Sequence, residues 1–289
     1  MSLLTREKLA WPNGARLALS IVVNVEEGSE LSVARGDPGM EPVDELGVFV
    51  KSPIRNFGNE SNYLYGLKAG APRIVDLLVK YNVAATWTVA AQSLEVAPDL
   101  AEVIGKLGHE PAAHGVRWVH QFKMDEAEER EFIRGAADRI EKACGRRPVG
   151  WLSRYLHTAN TRRLLAEAGY RYHMDDYSGD VPFFAPDQPD MVVVPYQLDT
   201  NDMKMWVNPA YTPEMWLDYA KHSFDTLYQE GDETPRMMSI GLHLRIIGRP
   251  GRIWALEAFL QHATARREVW IPTREAIANH LRDVTPAAH

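Results

Sequence analysis

The sequence predicts a single α/β domain folded as a distorted (β/α) barrel. Three observations indicate this fold: apolar runs rich in β-branched residues alternate with segments of helical periodicity, the alternation continues along the chain, and 289 residues suit one large domain. An open, doubly wound sheet would show the same alternation, but the length favours the barrel. In both architectures the functional residues lie at the carboxyl ends of the strands.

The first half of the alternation opens with the apolar run RLALSIVVNV, which is typical of a strand buried on both faces. Two helix starts in this half have the sequence of a capping box, Asp99 with Glu102 and Asp125 with Glu128. Gly145 is expected to end the second of these helices. The predicted elements, in order, are strand 16–25, helix 72–81, strand 84–90, helix 100–107, strand 109–115 and helix 125–143.

The second half continues in the same way. Thr212 and Pro213 form a favourable N-cap and first-turn pair for a helix, and Gly169 is expected to stop an earlier one. The predicted elements, in order, are strand 149–152, helix 161–168, strands 170–174 and 191–196, helix 212–229, strand 238–244, helix 252–265, strand 269–271 and helix 273–281.

Two segments interrupt the alternation and are expected to be irregular. Residues 30–67 are rich in glycine and proline, and residues 177–190 are rich in proline and aspartate. Long irregular loops in a compact domain are usually lids or interface elements, so we interpret 30–67 as an insertion loop that can enclose a small substrate. Because the alternation resumes after each segment, we predict that 1–289 is one catalytic domain with an N-terminal arm at 1–15.

Composition and charge argue against several classes of partner. The formal net charge is −7 and there is no Lys/Arg-rich block, which disfavours nucleic acid and anionic membrane surfaces. The one cysteine, Cys144, excludes an intramolecular disulfide framework and fits a reducing compartment. The N-terminus lacks a signal-peptide pattern. The sequence contains no uninterrupted run of about 18 apolar residues, so no membrane span is expected. We therefore expect a cytoplasmic protein that acts on a small molecule.

Ionisable side chains follow the predicted strands at the edge where a site is expected. Amide hydrolysis needs a base that deprotonates water, a positive group near the oxyanion and an acid that protonates the leaving nitrogen. The strand ends supply all three kinds of group: Glu26, Glu27, His114, Arg154, Asp175, Asp176 and His243.

Each of these residues also has a purely structural interpretation. Adjacent acids such as Glu26 and Glu27 often begin a solvated loop, and Arg154 could pair with a neighbouring acid. His243 ends the apolar run MSIGL, where an imidazole requires a partner or a function. The other histidines are interpreted as structural, and the tryptophans are expected to pack in the core or in loops rather than to form a sugar-stacking row.

Five stretches of the sequence resemble the polysaccharide deacetylase (NodB-homology) family, in the order in which that family has them. The resemblance covers about residues 11–281 and is strongest to a cytoplasmic branch that contains a metal-independent allantoinase and cyclic imide hydrolase. It implies a NodB-type barrel and the hydrolysis of a non-peptide C–N bond. The stretches are VEEG at 25–28, HEPAAHG at 109–115, the GW–R stretch at 150–154, YHMDDYSGDVPF at 172–183 and SIGLHLRIIGRPGRI at 239–253.

The resemblance also implies roles for individual residues. The family's Asp-Asp motif falls on Glu26 and Glu27, of which the first acid is the base and the second a metal ligand in metal-dependent members. The first histidine ligand of the family falls on His114. The general-acid histidine falls on His243.

The chain departs from the metal-dependent pattern at the second histidine ligand. That ligand would lie four residues after His114, where this sequence has Trp118, and His120 lies six residues after it. Glu27 and His114 remain as possible metal ligands, whereas a divalent catalytic site normally has three protein ligands. The predicted cofactor is therefore either none or one divalent metal such as zinc.

Together these features predict a hydrolase that opens a cyclic imide or ureide ring. Glu26 or Glu27 would assist the attacking water, His243 would protonate the leaving nitrogen, and His114 and Asp176 would position water and substrate. Asp175 and Asp176 fall where the family places an orienting acid. Arg154 or backbone N–H groups would stabilise the oxyanion. The predicted substrate contacts are Arg154, Asp175, Trp118 and Tyr155.

Two other functions remain open at this point. One is de-N-acetylation of an amino sugar in a chitin or peptidoglycan-type oligomer. The other is a catalytically inactive member of the family that only binds a ligand. The resemblance further implies a homo-oligomer, with a tetramer favoured.

Overall fold

The computed structural model describes residues 9–285, so residues 1–8 of the predicted N-terminal arm lie outside the described part of the chain. Residues 9–285 form a single α/β domain around one nine-stranded sheet. The strands are β1 Leu17–Val25, β2 Thr86–Val89, β3 Glu110–Ala113, β4 Gly150–Trp151, β5 Tyr172–His173, β6 Phe183–Ala185, β7 Gln188–Val193, β8 Arg236–His243 and β9 Val269–Trp270.

Nine α-helices accompany the strands within the described residues, eight between strands and one after the last strand. They are α1 Phe57–Tyr65, α2 Ala71–Lys80, α3 Ala91–Val96, α4 Pro98–Lys106, α5 Glu126–Cys144, α6 Thr161–Glu167, α7 Pro213–Glu230, α8 Pro250–Thr264 and α9 Arg274–Val284. A five-residue π-helical segment, Gly66–Gly70, joins α1 to α2. No helix in residues 9–285 has the length and apolar character needed to span a membrane.

The strands are arranged in the order β6-β7-β5-β4-β3-β2-β1-β8, and β9 pairs with the beginning of β1. All neighbours are parallel except β6 and β7, which are antiparallel. The edge strands in this order are β6 and β8, and within the described residues no strand pairing joins the hairpin of β6 and β7 to β8, so the barrel is open at this seam. The predicted distorted (β/α) barrel is confirmed, with the carboxyl ends of its parallel strands at one end.

Side chains bridge the seam between β7 and β8 in place of a strand ladder. The backbone N–H of Ser239 donates to the side chain of Gln197 at 2.7 Å, and the Thr200 hydroxyl donates to the carbonyl of Ser239 at 2.5 Å. The buried guanidinium of Arg274 donates to the carbonyl of Val194 and to the hydroxyl of Ser239. The segment that follows β7 is thereby held against β8, beside the carboxyl ends of the strands.

The core lies on both faces of β1, as its continuous apolar run predicts. Ala18 and Val22 belong to one buried cluster, together with residues of β5 and β7. Leu19, Ile21 and Val23 belong to a second cluster, which includes residues of the surrounding helices. Successive side chains therefore alternate between the barrel interior and the helical layer.

Most predicted elements are present, and the differences have local causes. The capping box at Asp125 is confirmed, with Gly145 in a left-handed conformation after α5. The capping box at Asp99 was wrong: α4 begins at Pro98, two residues before the predicted start at residue 100, and its N-cap is Ala97, because proline suits the first turn of a helix. The insertion 30–67 was predicted as irregular, but it contains α1, which Asn56 caps. Likewise 177–190 contains β6 and the start of β7, which form a hairpin.

Candidate active site

The alternation of side chains along β1 separates the two acids that follow it. Continuing the pattern beyond Val25 places Glu26 towards the barrel interior and Glu27 towards the helical layer. Glu27 packs against Gly66, where an added Cβ atom would lie only 2.5 Å from its carboxylate oxygen. The two neighbouring carboxylates therefore have different surroundings, and of the two only Glu26 lines the cleft at the carboxyl end of the barrel.

Glu26 lies between two imidazoles and a guanidinium. Its Oε1 atom is 3.4 Å from Nε2 of His243 and 3.8 Å from Nε2 of His114. Its Oε2 atom accepts a hydrogen bond of 2.8 Å from Arg245. One carboxylate oxygen is thus anchored by a cation, while the other faces both imidazoles across gaps longer than an ordinary hydrogen bond.

Asp202 fixes the orientation of His243. The Nδ1 atom of His243 lies 2.6 Å from Oδ1 of Asp202, whose Oδ2 accepts the backbone N–H groups of His243 and Ile247. Asp202 is fully buried in the short helical turn Asp202–Met205. The imidazole therefore has a carboxylate at each nitrogen, with Nε2 directed towards Glu26.

Burial and charge set the protonation states of this pair. Burial alone would raise the pKa of Glu26, but the charges of His243 and Arg245 hold that pKa well below its ordinary value. Burial alone would lower the pKa of His243, but the carboxylates of Glu26 and Asp202 raise it to about 10. At neutral pH the site therefore contains a Glu26 carboxylate beside a protonated His243.

His114 presents a lone pair to the same carboxylate. Its Nδ1 atom lies 2.6 Å from the backbone carbonyl of Leu152, which can only accept a hydrogen bond. Nδ1 must then bear the proton, and in the neutral ring Nε2 is an acceptor. Because this acceptor and the Oε1 atom of Glu26 are 3.8 Å apart, the two can share a water molecule that donates to both.

Arg245 provides the buried positive charge of the site. Its guanidinium contacts the carboxylates of both Glu26 and Glu27, at 2.8 and 3.4 Å. It lies 4.3 Å from the ring centroid of Tyr63 and 5.7 Å from that of Trp118, so two aromatic faces add cation–π contacts. Burial raises the pKa of Glu27 to about 7, although the charge of Arg245 opposes that shift.

A cleft with about 350 Å³ of empty space lies above these groups. Glu26, His114 and His243 are 2, 5 and 6% exposed, so the reacting groups are at the bottom and bulk solvent scarcely reaches them. Tyr155, which is 56% exposed, lies at the mouth. The lining residues are Asn24, Glu26, His114, Trp118, Leu152, Ser153, Arg154, Tyr155, Tyr177, Tyr196, Leu198, Asn201 and His243.

Arg154 lines the cleft, but its terminal nitrogens are already engaged. They form a two-point ion pair with Glu41 at 3.1 and 2.5 Å, and one of them also donates to the carbonyl of Trp118. The guanidinium carbon lies 3.7 Å from the centre of the Trp118 ring. Since Glu41 belongs to the insertion 30–67, this pair attaches the insertion to the cleft wall.

The structure brings together some predicted site residues and separates others. Glu26, His114, His243, Trp118, Arg154 and Tyr155 line one cleft, whereas Glu27, Asp175 and Asp176 do not. The carboxylate of Asp175 accepts hydrogen bonds from the backbone and hydroxyl of Ser153, behind the cleft wall. The carboxylate of Asp176 accepts from the backbone and hydroxyl of Ser178. Both aspartates therefore stabilise loops that shape the site.

Sequence reasoning missed four important residues of the site. Asp202 begins the short helical turn that follows β7, and no local pattern links it to His243. Arg245 could have been noticed, because it follows His243 by two residues and so returns to the same side of the chain. Asn24 and Tyr196 were hidden within apolar runs, where a polar side chain signals a specific partner.

The side chains around Glu26 do not fit a tightly bound divalent metal. Of the two predicted ligands, Glu27 faces Arg245 and the backbone N–H of Glu26, while His114 faces the Glu26 carboxylate. Trp118 stands where the resemblance places a second histidine ligand. Across residues 9–285 no three His, Cys, Asp or Glu side chains are grouped so that they could hold a metal ion. A guanidinium provides the positive charge beside the two acids.

Comparisons with known proteins agree with this architecture. The family model described as Polysaccharide deacetylase matches residues 62–173. A Schizosaccharomyces pombe protein, provisionally named a polysaccharide deacetylase, is 35% identical over 93% of this chain and 91% of its own length. The chain belongs to the polysaccharide deacetylase family.

Two solved structures are similar to this chain over nearly its whole length. PuuE allantoinase is 37% identical with a TM-score of 0.94, covering 99% of this chain and 96% of that one. A Pseudomonas aeruginosa PAO1 protein, provisionally named a polysaccharide deacetylase, is 39% identical with a TM-score of 0.91, covering 96% and 94%. The family resemblance and the NodB-type fold predicted from the sequence are both confirmed.

Proposed function

We propose that this family member hydrolyses a C–N bond within a small cyclic amide, opening a cyclic imide or ureide ring. The observation that carries the proposal is the position of the Glu26 carboxylate at the bottom of a small buried cleft, 3.4 Å from Nε2 of His243 and 3.8 Å from Nε2 of His114. This arrangement offers a base and an acid within reach of one substrate bond.

The attacking water binds between Glu26 and His114. Donating one hydrogen to the carboxylate oxygen and one to Nε2 of His114 uses both O–H groups of the water and leaves its lone pair directed at a carbonyl carbon. The backbone carbonyl of Leu152 holds the His114 ring in the required orientation. Glu26 accepts the proton as the C–O bond forms.

The C–N bond then breaks with the help of His243. The imidazolium donates its Nε2 proton to the departing ring nitrogen, which remains tethered to the product as an open-chain amide or urea. Glu26 holds the proton taken from water, 3.4 Å from the deprotonated Nε2 of His243. Transfer across this gap restores both groups for the next turnover, and Asp202 keeps the ring aligned throughout.

The dimensions and charges of the cleft favour a small neutral substrate. Its empty space is about 350 Å³ even with the part open to solvent included, which leaves room only for a small molecule. Both nearby guanidinium groups, of Arg154 and Arg245, already face carboxylates, so neither offers a free positive charge to an anionic substrate. The allantoinase among the similar structures further supports a cyclic ureide.

De-N-acetylation of an amino sugar is the second candidate. Two of the similar proteins are named as polysaccharide deacetylases, and the leaving atom would again be nitrogen. The burial of Glu26 and His243 favours the ring substrate, because a sugar chain would have to bring its acetamido group to the bottom of the cleft.

The predicted tetramer stays a prediction that sedimentation of the purified protein would test.

Turnover of matched substrates distinguishes these functions. Purified protein is incubated with succinimide, hydantoin, allantoin and a chitin oligomer, and both loss of the ring and release of acetate are measured. The E26Q variant, purified identically, is the control for contaminating activity. We expect ring opening by the natural chain and ring opening at least about 10²-fold slower by the variant.

Acetate release from the oligomer without ring opening would replace the proposed function with the second candidate. A chain that yields no product, but whose melting temperature rises with a ring compound, would be an inactive ligand-binding member of the family.

A further inference from the structure

The hydroxyl of Tyr196 accepts two hydrogen bonds inside the cleft wall. Nδ2 of Asn24 donates to it at 3.1 Å, and Nδ2 of Asn201 donates to it at 3.0 Å. Tyr196 follows β7, and its side chain is 4% exposed and lines the cleft. A phenol oxygen has two lone pairs and one proton, so the two amides occupy its accepting capacity.

The direction of both hydrogen bonds is fixed by backbone groups. Nδ2 of Asn24 also donates to the carbonyl of Leu242, which can only accept. Oδ1 of Asn201 accepts the backbone N–H of Met203, which can only donate. Neither amide can be rotated by half a turn without losing that partner, so both present N–H groups to Tyr196.

The phenolic proton of Tyr196 therefore has no acceptor among the side chains that hydrogen-bond to this hydroxyl. Among residues 9–285 the hydrogen-bond partners of this hydroxyl are the two amide donors, and neither can accept its proton in the fixed orientation. Burial raises the pKa of Tyr196, so the proton is retained at neutral pH. A retained proton without a protein acceptor, on a side chain that lines the cleft, is available to a bound molecule.

The backbone of β8 is shaped to admit this hydroxyl. A Cβ atom at Gly241 would lie 2.1 Å from the Tyr196 oxygen and 2.6 Å from Nδ2 of Asn201. A side chain at position 241 would displace the phenol or its amide donor. Gly241 also lies two residues before His243, so the Tyr196 hydroxyl and the His243 imidazole lie on the same face of β8.

We infer that Tyr196 is the oxyanion donor of this site: its O–H group binds the carbonyl oxygen of the scissile amide and stabilises the negative charge that develops there. The inference rests on the proposed function, since it assigns a role within amide hydrolysis. Two amide donors to the phenol oxygen strengthen its O–H group as a donor, because hydrogen bonds in a chain polarise one another. Arg154 cannot fill this role with its terminal nitrogens, which are bound to Glu41 and Trp118.

The Y196F variant removes the donor and keeps the aromatic ring. Loss of one oxyanion donor lowers kcat about 10²- to 10³-fold, and we expect this loss with little change in KM, because the interaction strengthens in the transition state. The matched control is Y170F, which removes a buried phenol outside the cleft whose hydroxyl donates to the carbonyl of Ile133. Y170F should retain the kcat of the natural chain.

The N201D variant tests whether the Tyr196 O–H group must point into the cleft, and it retains the phenol. A carboxylate at position 201 offers an acceptor where Asn201 now donates, so the Tyr196 proton turns away from the cleft. We expect kcat to fall in N201D as well. If Y196F does not fold, N201D alone decides. A folded Y196F or N201D protein with the kcat of Y170F would overturn the inference.

Assays of the natural chain with ring and acetylated substrates show whether the proposed function itself is wrong. If that chain hydrolyses an acetylated amine and no ring, the ring specificity is wrong, and the same variants test Tyr196 on the acetylated amine. If it hydrolyses neither, crystals soaked with succinimide decide. A ring carbonyl within hydrogen-bond distance of the Tyr196 oxygen would support the donor role, and its absence would overturn it.

Discussion

The two ends of the barrel both bury a glutamate, and they treat it in opposite ways. At the amino end, Glu110 at the beginning of β3 accepts hydrogen bonds from the hydroxyls of Tyr172 and Thr86 at 2.5 and 2.7 Å, and from the backbone of Glu275 at 2.9 Å. We call these four residues the amino-end cluster. Each of their contacts with Glu110 is a short, well-formed hydrogen bond.

At the carboxyl end, Glu26 is as deeply buried but less completely bound. Arg245 anchors one of its oxygens at 2.8 Å, while the other faces His243 and His114 at 3.4 and 3.8 Å. The amino-end cluster is made of neutral hydroxyl and backbone donors, whereas the carboxyl end contains a protonated imidazole. A buried carboxylate whose oxygens all accept short hydrogen bonds stabilises the fold. A buried carboxylate that lies near titratable groups without being hydrogen-bonded to them can exchange protons with a bound molecule.

Replacing each of the two glutamates by glutamine tests most directly whether the two ends of the barrel have different roles. E26Q removes the base, and we expect kcat for ring opening to fall about 10²- to 10⁴-fold, the range typical of general acid–base groups. E110Q should retain kcat, because its site is at the opposite end of the strands. Steady-state kinetics of the two purified variants checks this. Equal losses of kcat in both would show that the two ends are not functionally distinct.

The second prediction concerns the pH at which His243 loses its proton. Because the pKa of His243 is raised to about 10, kcat/KM should hold steady above neutral pH and fall as pH rises through that value. Removing a nearby opposite charge shifts a pKa by about 1–3 units, so D202N should move this alkaline limb to lower pH. The profile is measured after subtracting the uncatalysed rate. An unshifted limb in D202N would exclude His243 as the acid.

The third prediction concerns the contribution of the amino-end cluster to the free energy of unfolding. E110Q replaces one accepting oxygen by an N–H donor opposite Tyr172, Thr86 or the backbone of Glu275, which leaves a buried group mispaired. We expect the free energy of unfolding to fall by about 1–3 kcal/mol, measured by urea denaturation. A stability equal to that of the natural chain would show that this cluster contributes nothing to the fold.

The smallest expected effect is that of a chelator. Since Arg245 rather than a metal provides the positive charge beside Glu26, dialysis against a chelator should leave the initial rate of ring opening unchanged. Elemental analysis of the same sample accompanies the assay. A rate that falls after dialysis and returns on addition of zinc would contradict the charge assignment.

The fold was largely predictable because it depends on short-range patterns. The apolar run of β1 and the capping box at Asp125 each specify an element from neighbouring residues. Helix α1 was missed because glycines and prolines recur along the insertion that contains it. The hairpin of β6 and β7 was missed because Pro186 and Asp187 lie between the two strands, and Pro189 and Asp190 interrupt the start of β7.

The site was predictable only where the chain itself brings residues to a strand end. Glu26, His114 and His243 follow parallel strands, so the topology gathers them. The pairing of His243 with Asp202 spans 41 residues and depends on how a loop crosses the seam between β7 and β8. The separation of Glu26 from Glu27 follows from the alternation along β1, but its consequence for their partners required the positions of Arg245 and the helical layer.

The most direct test of the central claim is the product formed in ¹⁸O-labelled water. Ring opening by the Glu26-activated water adds one labelled oxygen to the new carboxylate and leaves the substrate in one piece, so mass spectrometry should find a single product heavier by one labelled water. Cyclic substrates that are recovered unlabelled, while labelled acetate forms from an acetylated oligomer, would contradict the account.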